Sequence, residues 1–203
     1  MSRFLDETIS RYPILKECEF EILKVFEILR SSFRSGNKLL ICGNGGSAAD
    51  AEHWSGELLK GFESKRPVRD ERLAEIPHPI SAQLQGGFPV IPLTGFISFR
   101  TAFGNDVDPA LVFAQLVYVL GQKGDVLVGI STSGHAVNVC HAVRVAEKMG
   151  LKTVGLSGGD GGLLATLTTA CVCVPEKNTR LIQEMHLPIY HCLSLMLEDE
   201  FFS

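Results

Sequence analysis

At 203 residues, 45% of them apolar and 21% charged, the chain has the size and make-up of one soluble domain with a substantial core. A formal net charge of −4 gives none of the overall basic balance that draws a protein to nucleic acid or to an anionic membrane, so neither is expected as a partner. No apolar run approaches the roughly 18–20 residues of a membrane span, and the start, Met1 to Glu7, lacks the apolar stretch of a secretory signal, so the cytoplasm is the expected compartment.

In chain order, Tyr12-Pro13 separates a short N-terminal helix from an amphipathic segment over about 16–34. There Phe20, Leu23, Phe26, Ile28, Leu29 and Phe33 form a helical stripe, ended by Gly36-Asn37. Residues 38–42 read as a buried strand. Residues 47–60 read as a helix opened by a Ser47-x-x-Asp50 capping pattern. The run 89–93 reads as a strand broken by two prolines. A helix follows over 109–121, with proline in its first turn and glycine at its end. Then come a strand at 125–130, a helix at 136–149 closed by Gly150, a strand at 152–156, a short helix at 163–168 and a strand at 171–174. A long helix over 179–200 contains Pro188. The stretch of about 63–87 stands apart. It is charged through Lys65, Arg66, Arg69, Asp70, Glu71 and Arg72, then rich in proline and glycine, and reads as an excursion that is either functional or disordered. Lys65, Arg66 and Arg69 would either close over an anionic ligand or form a solvated charged face. The six cysteines include no C-x-x-C pair, and Cys171 and Cys173 alternate with valines as buried strand residues do, so reduced structural thiols are expected.

Strands alternating with helices predict an α/β fold, a parallel sheet covered on both faces, with ligands beyond the C-terminal strand ends. Three loops fall there. Gly43-Asn44-Gly45-Gly46-Ser47 offers close backbone approach and a helix N-terminus, which suit a phosphate, although a purely structural tight turn would look the same. Its Gly43-x-Gly45-x-x-Ala48 spacing also fits a dinucleotide fingerprint, but the acidic residue at the required distance, Glu63, follows no strand. Ser131-Thr132-Ser133-Gly134 sets three hydroxyls at a second strand-to-helix turn, as an oxyanion site or as a helix cap. The loop 156–162 at the same sheet end reads as a flexible strand-to-helix connection or as a further ligand contact. His53 and Glu57, four residues apart on one helix, suit a metal clamp, an acid–base pair or an ordinary surface pair. On the last helix, Gln183 and His191 lie about 12 Å apart along the axis and share a small ligand only if it lies between them. A lone histidine there, His186 or His191, is ordinarily a packing residue.

Together, the segments Cys42–His53, Gly129–Gly134 and Arg180–His186 resemble the signature segments of the phosphoheptose isomerase family. Thr101–Asp106 and Leu156–Gly158 add to a likeness that covers about 36–61 and 93–200. The resemblance implies a single SIS domain over 1–203, with N-terminal helices in 1–35 and an insertion at about 63–87. It implies a five-stranded parallel sheet in a three-layer sandwich, and a homotetramer with active sites at subunit interfaces. The implied activity is an aldose–ketose isomerisation of a phosphorylated sugar, sedoheptulose 7-phosphate to D-glycero-D-manno-heptose 7-phosphate, through an enediolate, on the way to the heptose of bacterial surface polysaccharide. One zinc ion per subunit is implied on His53, Glu57, Gln183 and His191, with acid–base work assigned to Glu57 and His191. Phosphate and sugar contacts fall on Ser131, Thr132 and Ser133 and on Asn44, Gly45, Gly46, Ser47 and Gln183. The chain departs from many relatives in His135-Ala136 after the hydroxyl loop, in Phe96, in Arg180 and in the length of 63–87. His135 or Arg180 is the expected substitute for the missing phosphate hydroxyl. The alternatives are a non-catalytic SIS protein that binds a sugar phosphate or a protein partner, and another sugar-phosphate enzyme such as a lyase or deacylase.

Overall fold

The computed structural model describes residues 3–68, 70–73 and 75–203. Five strands, β1 (Leu39–Gly43), β2 (Val90–Pro92), β3 (Val126–Ile130), β4 (Lys152–Gly158) and β5 (Ala170–Val174), form one parallel sheet in the order β2-β1-β3-β4-β5. Every residue of β1 and β3 is buried, as a strand covered on both faces requires. The two prolines at 89 and 92 fit because β2 is an edge strand whose one partner is β1, so a missing N–H can face away from the ladder.

The period-two alternation of side chains divides the core. Leu39, Ile41, Val126, Val128, Val154 and Val172 point to a layer made by α1 (Arg3–Arg11), α2 (Glu19–Arg34), α3 (Gly46–Leu59) and, last in the chain, the helix Thr179–Phe202. Leu40, Cys42 and Leu127 point to the opposite layer. In chain order α4 (His78–Ser81), α5 (Ile97–Asp106), α6 (Val112–Leu120), α7 (Val137–Lys148) and α8 (Gly162–Leu167) come between α3 and that last helix, α9, and α6, α7 and α8 contribute to the opposite layer. Burying each large aliphatic side chain is worth about 1.5–3 kcal/mol, and both faces of the sheet are lined with them.

Three expectations need correction. Helix α5 was not legible in the sequence: it has no fully buried residue, and so no apolar stripe to betray it. The Ser47-x-x-Asp50 capping pattern is not used as a cap. α3 begins at Gly46 with Gly45 as N-cap, at φ 55° and ψ −122°, a conformation glycine adopts without strain. The charged excursion does not hold Arg66 in solvent or over an open site. Arg66 is 0% exposed, and its Nε donates to Glu198 on α9 at 2.7 Å while Nη1 donates to the Leu58 carbonyl at 3.0 Å. Glu198 also accepts the backbone N–H groups of Phe62 at 2.8 Å and of Glu63 and Ser64 at 3.0 Å. These bonds tie the start of the excursion to the C-terminal half of α9. Beyond them the excursion contains a 3₁₀ turn at Glu71–Leu73, α4 and a bridge between Pro67 and Gln85. Lys65 is exposed, and Arg69 lies outside the described residues.

Candidate active site

At the C-terminal end of the sheet the first glycine loop is set by close approach. A Cβ at Gly43 would sit 2.6 Å from the Ser47 carbonyl oxygen, and one at Gly46 would collide with the side-chain amide of Gln183. Asn44, Gly45 and Gly46 are exposed and Ser47 is buried. Asn44 is tied to α7 by a reciprocal amide pair with Asn138, at 2.9 and 3.0 Å. In the hydroxyl loop, Ser131 is buried and its carbonyl accepts the Ser157 hydroxyl at 2.7 Å, while Ser133 and Thr132 reach the surface. The Ser133 hydroxyl oxygen accepts the His135 N–H at 3.2 Å, which leaves its own proton to donate. Gly134, at φ 66°, packs against the Gly161 backbone, and Gly158 N–H donates to the Thr132 carbonyl at 3.1 Å. The loop 157–162 is therefore a buttress for the hydroxyl loop.

A second cluster lies further along α3, where α9 runs beside it in the same direction. Gln183 meets Gly46, Tyr190 meets His53, and Glu198 meets Phe62. His53 Nε2 is 3.2 Å from Glu57 Oε1, and His53 Nδ1 is 3.0 Å from the Tyr190 hydroxyl. The His191 ring stands edge-on to His53 with centroids 5.2 Å apart, and Phe62 covers it at 5.2 Å. His191 Nε2 is buried without a hydrogen-bond partner. Burial lowers the His191 pKa, and the neighbouring His53 lowers it further against the opposing pull of Glu57. Its imidazole is therefore neutral at neutral pH, the form that ligates or accepts a proton. His191 lines a cleft of about 180 Å³ shared with Thr8 and Arg11 of α1, with Tyr12 just after it, and with Phe62 and Pro188.

The other polar groups of α9 behave differently. His186 is 0% exposed, its Nε2–H donates to the Ser157 carbonyl at 3.2 Å, and burial pushes its pKa down to about 4. It is a packing residue that docks α9 on β4. Arg180 pairs with Glu184 at 2.7 Å on the exposed first turns of α9. His135 lies against Gly162, where a Cβ would come 2.8 Å from its Nε2.

Among the residues expected to bind a metal, His53, Glu57 and His191 are neighbours, and Gln183 is not with them. Because α3 and α9 run in parallel, Gln183 is matched to Gly46, seven residues or about 10 Å before His53. Gln183 instead joins the glycine loop expected to hold the sugar phosphate. Among the described residues no three His, Cys, Asp or Glu groups already converge on one point. The donor chemistry nevertheless fits zinc. Two ligands of a tetrahedral ion with bonds of about 2.0–2.1 Å stand about 3.3–3.4 Å apart. That is close to the 3.2 Å between His53 Nε2 and Glu57 Oε1, and the unpartnered His191 nitrogen supplies a third donor nearby. Sequence reasoning missed Tyr190, Asn138, Phe62 and the α1 residues. No local motif marks any of them, since each acts on a segment distant in the chain.

The SIS domain family model matches residues 5–84 and 90–158. Phosphoheptose isomerases from Nitratiruptor and Aliarcobacter butzleri are 40% and 38% identical to the chain, over 93% and 96% of it and over 90% and 92% of their own lengths. Among solved structures, a phosphoheptose isomerase from Neisseria gonorrhoeae superposes with a TM-score of 0.78 at 31% identity, covering 96% of this chain and 94% of that one. One from Francisella tularensis superposes with 0.75 at 30% identity, covering 98% and 100%.

Proposed function

The chain belongs to the phosphoheptose isomerase family of SIS domains, and from that premise we propose that it interconverts sedoheptulose 7-phosphate and D-glycero-D-manno-heptose 7-phosphate. The observation that carries this reading is that the Glu57 carboxylate and the unpartnered His191 imidazole both flank the His53 ring, with His191 lining a cleft. A carboxylate and an imidazole are the two groups an enediolate isomerisation needs.

In the ketose the mobile proton is on C1, next to the C2 carbonyl. Glu57 takes that proton, the electrons of the C–H bond form the C1–C2 double bond of the enediolate, and the proton returns to C2. His191 moves the hydroxyl proton from O1 to O2, so the carbonyl passes from C2 to C1 and no atom is gained or lost. The two oxygens of Glu57 are differently engaged: Oε1 faces His53, whereas Oε2 has the Lys60 ammonium at 3.9 Å. Oε2, at the outer limit of ion-pair distance from that ammonium and facing no imidazole, is the oxygen we assign as the base. The hydroxyls of Ser131, Thr132 and Ser133, with Asn44, Gly45, Gly46, Ser47 and Gln183, hold the phosphorylated sugar. Zinc held by His53, Glu57 and His191 supplies a Lewis acid for the carbonyl when bound. The expected assembly is a homotetramer with active sites at subunit interfaces. No described helix is long and apolar enough to cross a membrane.

The test is conversion of sedoheptulose 7-phosphate by purified protein, with and without added zinc, beside Glu57→Gln and His191→Ala. Each variant is expected to lose about 10²–10⁴-fold in turnover. No turnover by the metal-replete parent would reject the heptose substrate, and full turnover by either variant would reject its role.

A further inference from the structure

Tyr190 precedes His191 on α9, is 1% exposed and stacks on Trp54 of α3, with ring centroids 5.8 Å apart and planes 20° apart. Its hydroxyl is held between two groups of α3, His53 Nδ1 at 3.0 Å and Asp50 Oδ1 at 3.4 Å. Asp50 is available for this because Gly45, not a side chain, caps α3. Its second oxygen, Oδ2, is buried with no partner.

The direction of these bonds follows from what each group can donate. An ionised carboxylate only accepts, and a phenol has one proton to give and lone pairs to receive. Tyr190 is the donor within reach of Asp50, so the Tyr190 proton points to Asp50. That leaves a lone pair of the Tyr190 oxygen facing His53 Nδ1, which is met when Nδ1 carries the imidazole proton. Nε2 then turns its lone pair toward the lone pairs of Glu57 Oε1 at 3.2 Å, two acceptors that a cation between them reconciles, with the His191 ring centroid 5.2 Å from that of His53. The opposite arrangement, with Nε2–H donating to Glu57, would turn the Tyr190 proton to Nδ1 and strip Asp50 of its donor.

We propose that Asp50 and Tyr190 form a positioning relay that orients His53 and keeps its proton on Nδ1, so that Nε2 is presented to a metal ion. The proposal rests on the zinc reading above. It assigns Tyr190 and Asp50 no contact with substrate. A partner that fixes the tautomer and angle of a ligating histidine typically matters 10–100-fold in metal affinity.

The experiment is zinc affinity, measured by competition with a chromophoric chelator at pH 8, for the parent, Tyr190→Phe, Asp50→Ala and the double variant. Tyr190→Phe keeps the ring on Trp54 and removes the hydroxyl alone, so its melting temperature is the control for folding. Each single variant is expected to weaken zinc 10–100-fold. The double variant is expected to be no weaker than the worse single one, because Asp50 acts through Tyr190. Tyr190→Phe binding zinc within twofold of the parent would overturn the relay, as would losses that multiply in the double variant. A parent that binds no zinc would remove the metal reading and leave the relay to be judged by the ring ¹⁵N shifts of His53. A protonated Nδ1 with a bare Nε2 in the parent, lost in Tyr190→Phe, upholds it. A protonated Nε2 with a bare Nδ1 in the parent refutes it.

Discussion

Helices α3 and α9 carry two polar clusters about two turns apart, and the clusters differ in how their polar atoms are used. At the far end, Glu198 receives four N–H donors, from Phe62, Glu63, Ser64 and Arg66, at 2.7–3.0 Å. The Arg66 guanidinium lies over the rings of Phe88 and Phe202, at 5.2 and 4.8 Å, which cover the Nη2 that has no hydrogen-bond partner. Nearer the sheet end, His191 Nε2 and Asp50 Oδ2 have no partner, and the His53 side chain is 45% exposed. The scaffold is the same and the residue types overlap. A carboxylate whose lone pairs are all spent on its own chain holds the fold together. Lone pairs left unspent beside a cleft are a cost to stability that a ligand can recover.

The strongest way to break this contrast is to open the saturated cluster. Removing one partner of a buried ion pair leaves the other charge desolvated and unpaired, at about 3–5 kcal/mol. Arg66→Ala is therefore expected to lose about that much stability in denaturant unfolding, and to free the segment from Phe62 onward to proteolysis. Tyr190→Phe, on the open cluster, is expected to stay within about 1.5 kcal/mol of the parent. A cost below about 1 kcal/mol for Arg66→Ala would mean that the excursion holds itself in place without Glu198.

His186 sharpens the contrast, because its Nδ1 is also buried without a partner but faces no cleft. Burial favours the neutral ring, with the bond to the Ser157 carbonyl as the smaller opposing effect, and holds the pKa at about 4 against 6.5 in an unfolded chain. Between those values the unfolded chain binds a proton that the folded one refuses, so stability is full above pH 6.5 and falls as pH drops towards 4. The loss amounts to about 3 kcal/mol across that window. His186→Leu removes the proton and is expected to flatten this part of the stability–pH curve, whatever it does to stability at pH 7. An unchanged slope would place the acid sensitivity elsewhere. An unspent atom in a dry interior is thus a liability that pH exposes, whereas one at a cleft is a binding capacity.

Much of this was legible in the sequence, and the limit has a physical reason. The strands could be read because each is a short buried apolar run between glycines and polar turns. The two candidate ligand loops could be read because glycine and hydroxyl clusters directly follow strands. The spacing of His53 and Glu57 on one helix gave their shared face. What spacing on one helix cannot carry is the offset of a second helix. The parallel pairing of α3 with α9 sets Gln183 against Gly46, away from His53, and brings Tyr190 to His53 across 137 residues. The Arg66–Glu198 pair spans 132 residues, and nothing local distinguishes Arg66 from its charged neighbours. α5 escaped notice for the complementary reason that it buries too little to leave a pattern.

The smallest expected effect lies between the two extremes, at a saturated contact inside the candidate site. Asn44 and Asn138 bond each other's amides between the glycine loop and the first turn of α7, and Asn138 Oδ1 also accepts the Val139 N–H at 3.0 Å. If saturation always meant structure, Asn138→Ala would cost about 1 kcal/mol and nothing else. The pair, however, pins a loop whose neighbouring backbone is exposed and proposed to hold the sugar phosphate. Loosening that loop weakens ground state and transition state alike, because it is remote from the Glu57–His191 chemistry. Asn138→Ala is therefore expected to raise KM about two- to fivefold and leave kcat unchanged. A fall in kcat at constant KM would instead bring Asn44 to the reacting carbons. Unchanged kinetics with the stability loss intact would make the amide pair a fastener of the same kind as Arg66 and Glu198.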